Sequence, residues 1–322
     1  MSEGVLQAGP GAARPSAVRV GAAVLGTALV AALSGALFSS ASEHPAPATR
    51  VLVWLGSGLL YAVALVPPAL RAGGRRRERF LLVFVPLYLT GAAADLVEGY
   101  FYSTELSGPL LAAALLVEVV PTALAALAIV LAVPGPATAP GPVAVLRGWL
   151  RERSARSWCW RILAAGVPYA AVYELFAFLV TPIEHRYYYD RAFIASLHTR
   201  VPPEWVTLVL EAGRGVLFVL AAMPVLALAR SSRRAAFWQV MLLGAVLEAY
   251  VPLLGRTSWP VGMRLGNVLE LTGDAAGRAA LMVLFLLAVP AARPGTVPER
   301  AADCGTGGRF SRGRRPGAAP RA

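Results

Sequence analysis

Apolar windows of about 20 residues, the length of a bilayer-crossing helix, recur along this chain. They fall near 18–38, 51–70, 80–101, 109–133, 161–182, 205–229, 236–254 and 265–290. In hydrocarbon a helix satisfies its own backbone hydrogen bonds, whereas a lipid-exposed loop or an open sheet edge cannot. The windows therefore predict an all-α polytopic membrane protein with eight transmembrane helices. Composition agrees: the 322 residues are 57% hydrophobic and 15% charged, with a mean hydropathy of +0.60, which a soluble domain of this length rarely sustains. The first window follows Arg14 and Arg19 and precedes the small residues SSAS, as a signal peptide would. Its run from Val20 to Phe38 exceeds a usual signal core, so it is expected to stay as the first span.

The chain has no lysine, and arginine alone supplies the cations behind a formal charge of +12. With abundant Ala, Gly, Pro and Val, this reads as the coding bias of a GC-rich genome. The arginines cluster between the apolar windows, which points to membrane topology and away from a nucleic-acid partner. Loop 71–79 holds five, segment 134–161 five, loop 230–234 three and tail 291–322 seven; loops 39–50, 102–108, 183–204 and 255–264 share six. The positive-inside rule then predicts both termini in the cytoplasm of a multi-pass protein of the cell's inner (plasma) membrane. The Gly-, Pro- and Arg-rich tail is expected to be disordered.

A duplication is also legible. LLYAVALVP, ending at Pro67, matches LFVLAAMP, ending at Pro224, and RRRERF matches SSRRAAF just beyond. The spans that end at Pro134 and Pro290 match, as do Glu43-His44 and Glu184-His185. Each half contains an even number of spans, so the halves run parallel, and such repeats place a cavity on the axis between them. The expected organisation is a four-helix repeat over 1–134, a basic cytoplasmic linker over 135–160, a second four-helix repeat over 161–290, and the tail 291–322.

Topology turns the charged residues inside the windows into a location. Asp95, Glu98, Glu118, Glu174, Glu211, Glu248, Glu270 and Asp274, with Arg214, all fall in the outer half of the bilayer, and Arg278 approaches its midplane. A charge at the bilayer centre costs roughly 2.5–3.5 kcal/mol on insertion scales. Eight carboxylates and two arginines therefore imply a shared polar interior open to the outer face. Glu211 with Arg214 and Asp274 with Arg278 stand at helical spacing, so Glu211, Arg214 and Arg278 are expected in structural ion pairs. Counted back from Pro134 and Pro290, Glu118 and Asp274 hold equivalent positions. Glu98, Glu118 and Asp274 are the candidate acids; Asp95, Glu174, Glu248 and Glu270 are candidate cavity or tuning groups.

Cys159 and Cys304 are expected in cytoplasmic segments, so no disulfide or thiolate metal site is predicted. His44, His185 and His198 are too few and too peripheral for a haem or di-iron site, and the run EHRYYYDRAF reads as an interfacial aromatic anchor. A nucleotide loop, HExxH, GxSxG and CxxC are all missing from the sequence. No cofactor and no metal are expected.

An acidic cavity without a cofactor motif suits proton-initiated chemistry on a lipid-soluble substrate. A neutral carboxylic acid can protonate an alkene or epoxide, and carboxylates and aromatic faces can stabilise the resulting cation. In overall architecture, a compact multispan chain with dispersed intramembrane Asp and Glu, the sequence resembles the integral membrane terpenoid cyclases that fold prenylated indoles, quinones or polyketides. The resemblance implies cyclisation of a hydrophobic prenylated small molecule drawn from membrane lipid. It carries no aligned motif and assigns no residue, and the doubled eight-span plan departs from it. Two other functions fit the same residues: a proton-coupled exporter of a small cationic compound, and a non-catalytic membrane partner or immunity protein.

Overall fold

The structure, a computed structural model, describes residues 17–38, 47–104, 106–188, 190–196, 198, 200–257 and 259–288. His44, Cys304 and the tail 291–322 lie outside them. Each predicted window contains a long helix. In chain order these are α1 (Ala17–Phe38), α2 (Pro47–Arg71), a rod made of α3 (Arg76–Pro86), a π-helical turn π1 (Leu87–Ala93) and α4 (Ala94–Tyr102), then α5 (Gly108–Ala132). After α6 (Pro142–Arg151) come α7 (Ala155–Gly166) and α8 (Tyr169–Tyr188), the short α9 (Arg191–Ser196), and α10 (Glu204–Ala229). A second composite rod joins α11 (Arg233–Gly244), the π-helical turn π2 (Ala245–Tyr250) and α12 (Val251–Gly255), and α13 (Val261–Leu286) follows. Among the described residues every regular element is helical.

Six of these helices are long and apolar enough to cross a membrane: Ala48–Arg71, Arg76–Tyr102, Gly108–Ala132, Ala155–Tyr187, Glu204–Ala229 and Arg233–Gly255. The first helix offers a shorter apolar run, Ala17–Val30. The last, α13, has the length but carries Arg264, Glu270, Asp274 and Arg278.

Two boundaries differ from expectation. The segment expected as a basic linker, 135–160, contains helix. It contains α6, which packs on α10, and its Trp149 is buried against Trp158 with ring centroids 4.8 Å apart. The fifth rod starts at Ala155, breaks before Pro168, whose ring cannot continue the ladder, and runs on to Tyr188. Residues 183–188, expected in a loop, are therefore helical, which turns Glu184 back into the protein.

Within the first half, α1 packs on α2 and α5, α2 on α3, and α3 with π1 on α5. Within the second, α7 and α8 pack on α10 and α13, α10 on α11, and α11 with π2 on α13. Most of these adjacencies correspond when α2 is matched with α10 and the two composite rods with each other; the packing of α2 on α5 has no such counterpart between α10 and α13. Two apolar cores fill the bundle: one is centred on Leu65, Val83 and Ile129 and draws in Val225, Leu243, Val246 and Leu247 from the second half, and the other is centred on Phe218, Leu226 and Met282 and draws in Ala94 from the first. The halves meet where α2 touches α11, π2 and α12, where α10 touches α3 and π1, and where π1 touches π2.

Two glycines set the closest helix crossings. A Cβ on Gly58 would lie 2.5 Å from the backbone nitrogen of Ala28 in α1; one on Gly215 would strike the carbonyl oxygen of Gly166 and lie 2.6 Å from Cβ of Tyr169. Both positions admit only a hydrogen, which lets the backbones touch. Gly58 and Gly215 are 157 residues apart, the same separation as Pro67 and Pro224 or Arg76 and Arg233.

Candidate functional site

Most of the buried charges gather in the second half, where Glu98 and Asp95 of the first half join them. On α10, Glu211 and Arg214 stand one turn apart, and Arg214 Nη1 donates to both carboxylate oxygens at 2.9 Å. Arg214 Nη2 reaches across to Glu98 of α4 at 2.7 Å. One guanidinium thus ties two carboxylates from opposite halves. Glu211 is fully buried, whereas Glu98 keeps 30% of its side-chain surface.

Arg278, 2% exposed, is held differently from the sequence-based expectation. Its guanidinium bonds Glu248 of π2 through both terminal nitrogens, with Nη1 donating to Oε2 at 2.7 Å. Asp274, the neighbour one turn back on α13, does not receive it. A bidentate fork between helices supplies two parallel charge-assisted bonds, against the single contact available at i,i+4. Three local features make this possible. The π-helical turn carries Glu248 inward, Gly244 leaves no side chain where the guanidinium lies, and the guanidinium rests over Phe218 at 3.9 Å and near Tyr169 at 5.2 Å.

Asp274 is left alone. It is 0% exposed, and neither carboxyl oxygen has a hydrogen-bond partner. The charges acting on it are Glu270, Arg278, Glu248 and Glu211. Glu270, one turn further along α13, is buried in the field of Glu184, Glu98, Glu211 and Glu174, all acids. Asp95 is half-buried beside Glu98, Arg214 and Glu248. Against two buried guanidinium groups, the site therefore sets Glu98, Glu211, Glu248, Glu270, Asp274 and Asp95. A buried, unpaired carboxylate is so costly that such a group is either neutralised by a proton or paired with a cation.

Of the three candidate acids, Glu98 and Asp274 belong to this charged site and Glu118 lies apart from it. Glu98 is committed to Arg214, Asp274 stands in the second half, and Glu118 is half-exposed on α5, where with Asp95 it acts on Tyr61 of α2. Glu174 lies on the exposed face of α8. Sequence reasoning missed Glu184. It is 2% exposed, its carboxylate lies over Gly266, and its Oε1 accepts from Asn267 Nδ2 at 2.6 Å. The Gly266-Asn267 pair one turn before Glu270 was the available signal, since it opens room and a donor opposite a carboxylate.

The site is a buried carboxylate–guanidinium centre in a helical protein of membrane-spanning character. No family model matches the chain, and neither a curated protein nor a solved structure matches it.

Proposed function

We propose that the protein is a proton-coupled transporter of a small cationic compound, with Asp274 as the group that carries either the proton or the cation. The observation behind this reading is Asp274 itself, fully buried with both oxygens unpartnered while the nearest guanidinium is locked onto Glu248. A carboxyl with no fixed counter-ion can exchange a proton for a cation, and that competition is what couples two fluxes. The packing pattern supports two parallel four-helix repeats, and the contact between π1 and π2 supplies irregular backbone at their junction. Such turns are common at functional sites, and motion between repeats is the usual basis of alternating access. Cyclisation fits less well, because the aromatic faces beside the acids are already covered: Arg278 lies over Phe218 and Tyr169, and Arg214 lies 5.4 Å from the Phe218 centroid. A carbocation there would meet fixed positive charge.

The reading includes eight spans in the plasma membrane, with α1 and α13 as the first and last, and both termini on the arginine-rich side. Cys159, exposed on α7, reports that side. In a Cys304→Ser protein, a membrane-impermeant maleimide should label Cys159 in inverted vesicles and not in intact cells; the reverse result would invert the topology.

Transport is tested in sealed proteoliposomes with an imposed pH gradient and ethidium as the cationic probe. Ethidium should accumulate against its gradient, collapse with a protonophore, and fail to accumulate in Asp274→Asn with the protein still inserted and folded. Full accumulation by that variant would remove Asp274 from the mechanism, and accumulation indifferent to the protonophore would remove proton coupling.

A further inference from the structure

A second charged site lies at the arginine-rich end of the first half. The loop after α2 and the loop after α5 interlock there. Gly73 N donates to Pro140 O at 3.3 Å, and a Cβ on Gly135 would strike the carbonyl oxygen of Ala72. Between them opens a cavity of about 280 Å³, lined by Gly74, Arg76 and Arg79 on one side and by Val130, Leu131 and Gly135 on the other.

Arg79 gives the cavity its chemistry. It is 4% exposed, and its Nη2 donates to the carbonyl of Ala69 at 3.1 Å and to that of Val133, so it closes the C-terminal ends of both α2 and α5. Those bonds fix the plane of the guanidinium. Its Nε has no partner and stands 2.8 Å from where a Cβ on Gly135 would project, which is the cavity wall. Two guanidinium side chains, Arg76 and Arg79, thus line a space large enough for a phosphate, an arrangement that favours an anion. Arg76 adds an exposed guanidinium, and as the first residue of α3 it opens a helix with no side-chain cap on its leading N–H groups. The acid nearby, Glu78, turns its carboxylate toward Gly74 and Gly141.

The surface below the cavity says what kind of anion. From Leu131 at its rim, α5 exposes Leu127, Leu124 and Val120 in a stripe with helical spacing. A polar anion pocket that runs directly into an exposed apolar face matches a headgroup attached to acyl chains. We infer that this cavity binds the phosphate of an anionic phospholipid, held between Arg76 and Arg79, with the acyl chains lying along the exposed face of α5. The site is independent of the transport reading.

Native mass spectrometry of the full chain in a non-ionic detergent tests this, with separate titrations of phosphatidylglycerol, phosphatidylcholine and inorganic phosphate. Phosphatidylglycerol should occupy one saturable site, and Arg76→Gln should weaken it by about tenfold, the loss expected for one charge-assisted contact. Arg77→Gln removes the same charge from the same loop but lies off the cavity, and should leave affinity within about twofold. Equal losses in the two variants would reduce the site to a diffuse positive field. An unchanged Arg76→Gln protein would overturn the assignment, as would phosphatidylcholine binding equally well. Arg76-dependent binding of inorganic phosphate without lipid binding would make it a soluble-anion site instead.

Discussion

Replacing Arg278 with methionine is expected to lower the stability of the folded protein by about 3–5 kcal/mol, the range for breaking a buried ion pair from one side. The loss has three sources. Glu248 loses both donors of its fork and remains buried, Asp274 loses the nearest positive charge, and the face of Phe218 loses the guanidinium that covers it. The size of the effect therefore lies mostly in the stranded carboxylate and much less in the intrinsic worth of the pair. Adding Glu248→Gln to Arg278→Met removes the stranded charge and should recover the greater part of the loss, since exchanging a whole buried pair for neutral groups is often close to neutral. Arg278→Lys keeps the charge but cannot form two parallel bonds, and should fall between wild type and Arg278→Met. Thermal unfolding of purified protein in detergent reads all three. A double variant as unstable as Arg278→Met would show that the loss is one of packing and not of charge.

Gly58→Ala and Gly215→Ala should each destabilise by about 1–3 kcal/mol, the usual cost of forcing extra volume into a packed contact. The added methyl would meet main chain and not a movable side-chain tip: Ala28 in one case, and Gly166 with Tyr169 in the other. Relief then requires whole helices to separate. Gly213 supplies the control, being two residues from Gly215 on the same helix with open space where its Cβ would go. Gly213→Ala should be neutral or stabilise by up to about 1 kcal/mol through helix propensity. The proposed duplication adds a sharper expectation. If the two crossings are copies of one ancestral contact, the two harmful substitutions should agree within about 1 kcal/mol, well inside the range that overpacking costs span. A harmless result at either glycine would mean that its crossing opens at little cost.

The helices were legible because a 20-residue apolar run leaves the chain few alternatives in a bilayer, and α5 and α10 begin and end within a few residues of their predicted limits. Glu211 and Arg214 were legible as a pair for a similar reason, since partners three residues apart on one helix need no tertiary information. The same local logic misled at Arg278. Its nearest acid in sequence is Asp274, four residues back, but its partner is Glu248, 30 residues away on another helix. Helical spacing ranks only neighbours on the same helix, and a bidentate partner delivered by a distant turn lies beyond it. Glu184 was misplaced because the tyrosine-rich run after it reads as an interface, whereas the helix continues through Tyr188 and turns its carboxylate onto Gly266. The π-helical turns left no trace in hydropathy, because they change the backbone hydrogen-bond register and leave composition untouched.

A π-helical turn is, in effect, an α-helix with a surplus residue wound into it. Each residue advances an α-helix by about 100°, so everything beyond the surplus is rotated by that amount relative to an uninterrupted rod. Asp95 and Glu98 both lie beyond π1, and Glu98 is the acid that meets Arg214 across the two halves. Wound as a plain α-helix, the third rod would turn Glu98 by about a quarter of a circle and leave Arg214 with Glu211 alone. The bond joining the halves at their charged centre thus depends on a count of residues as much as on their identity.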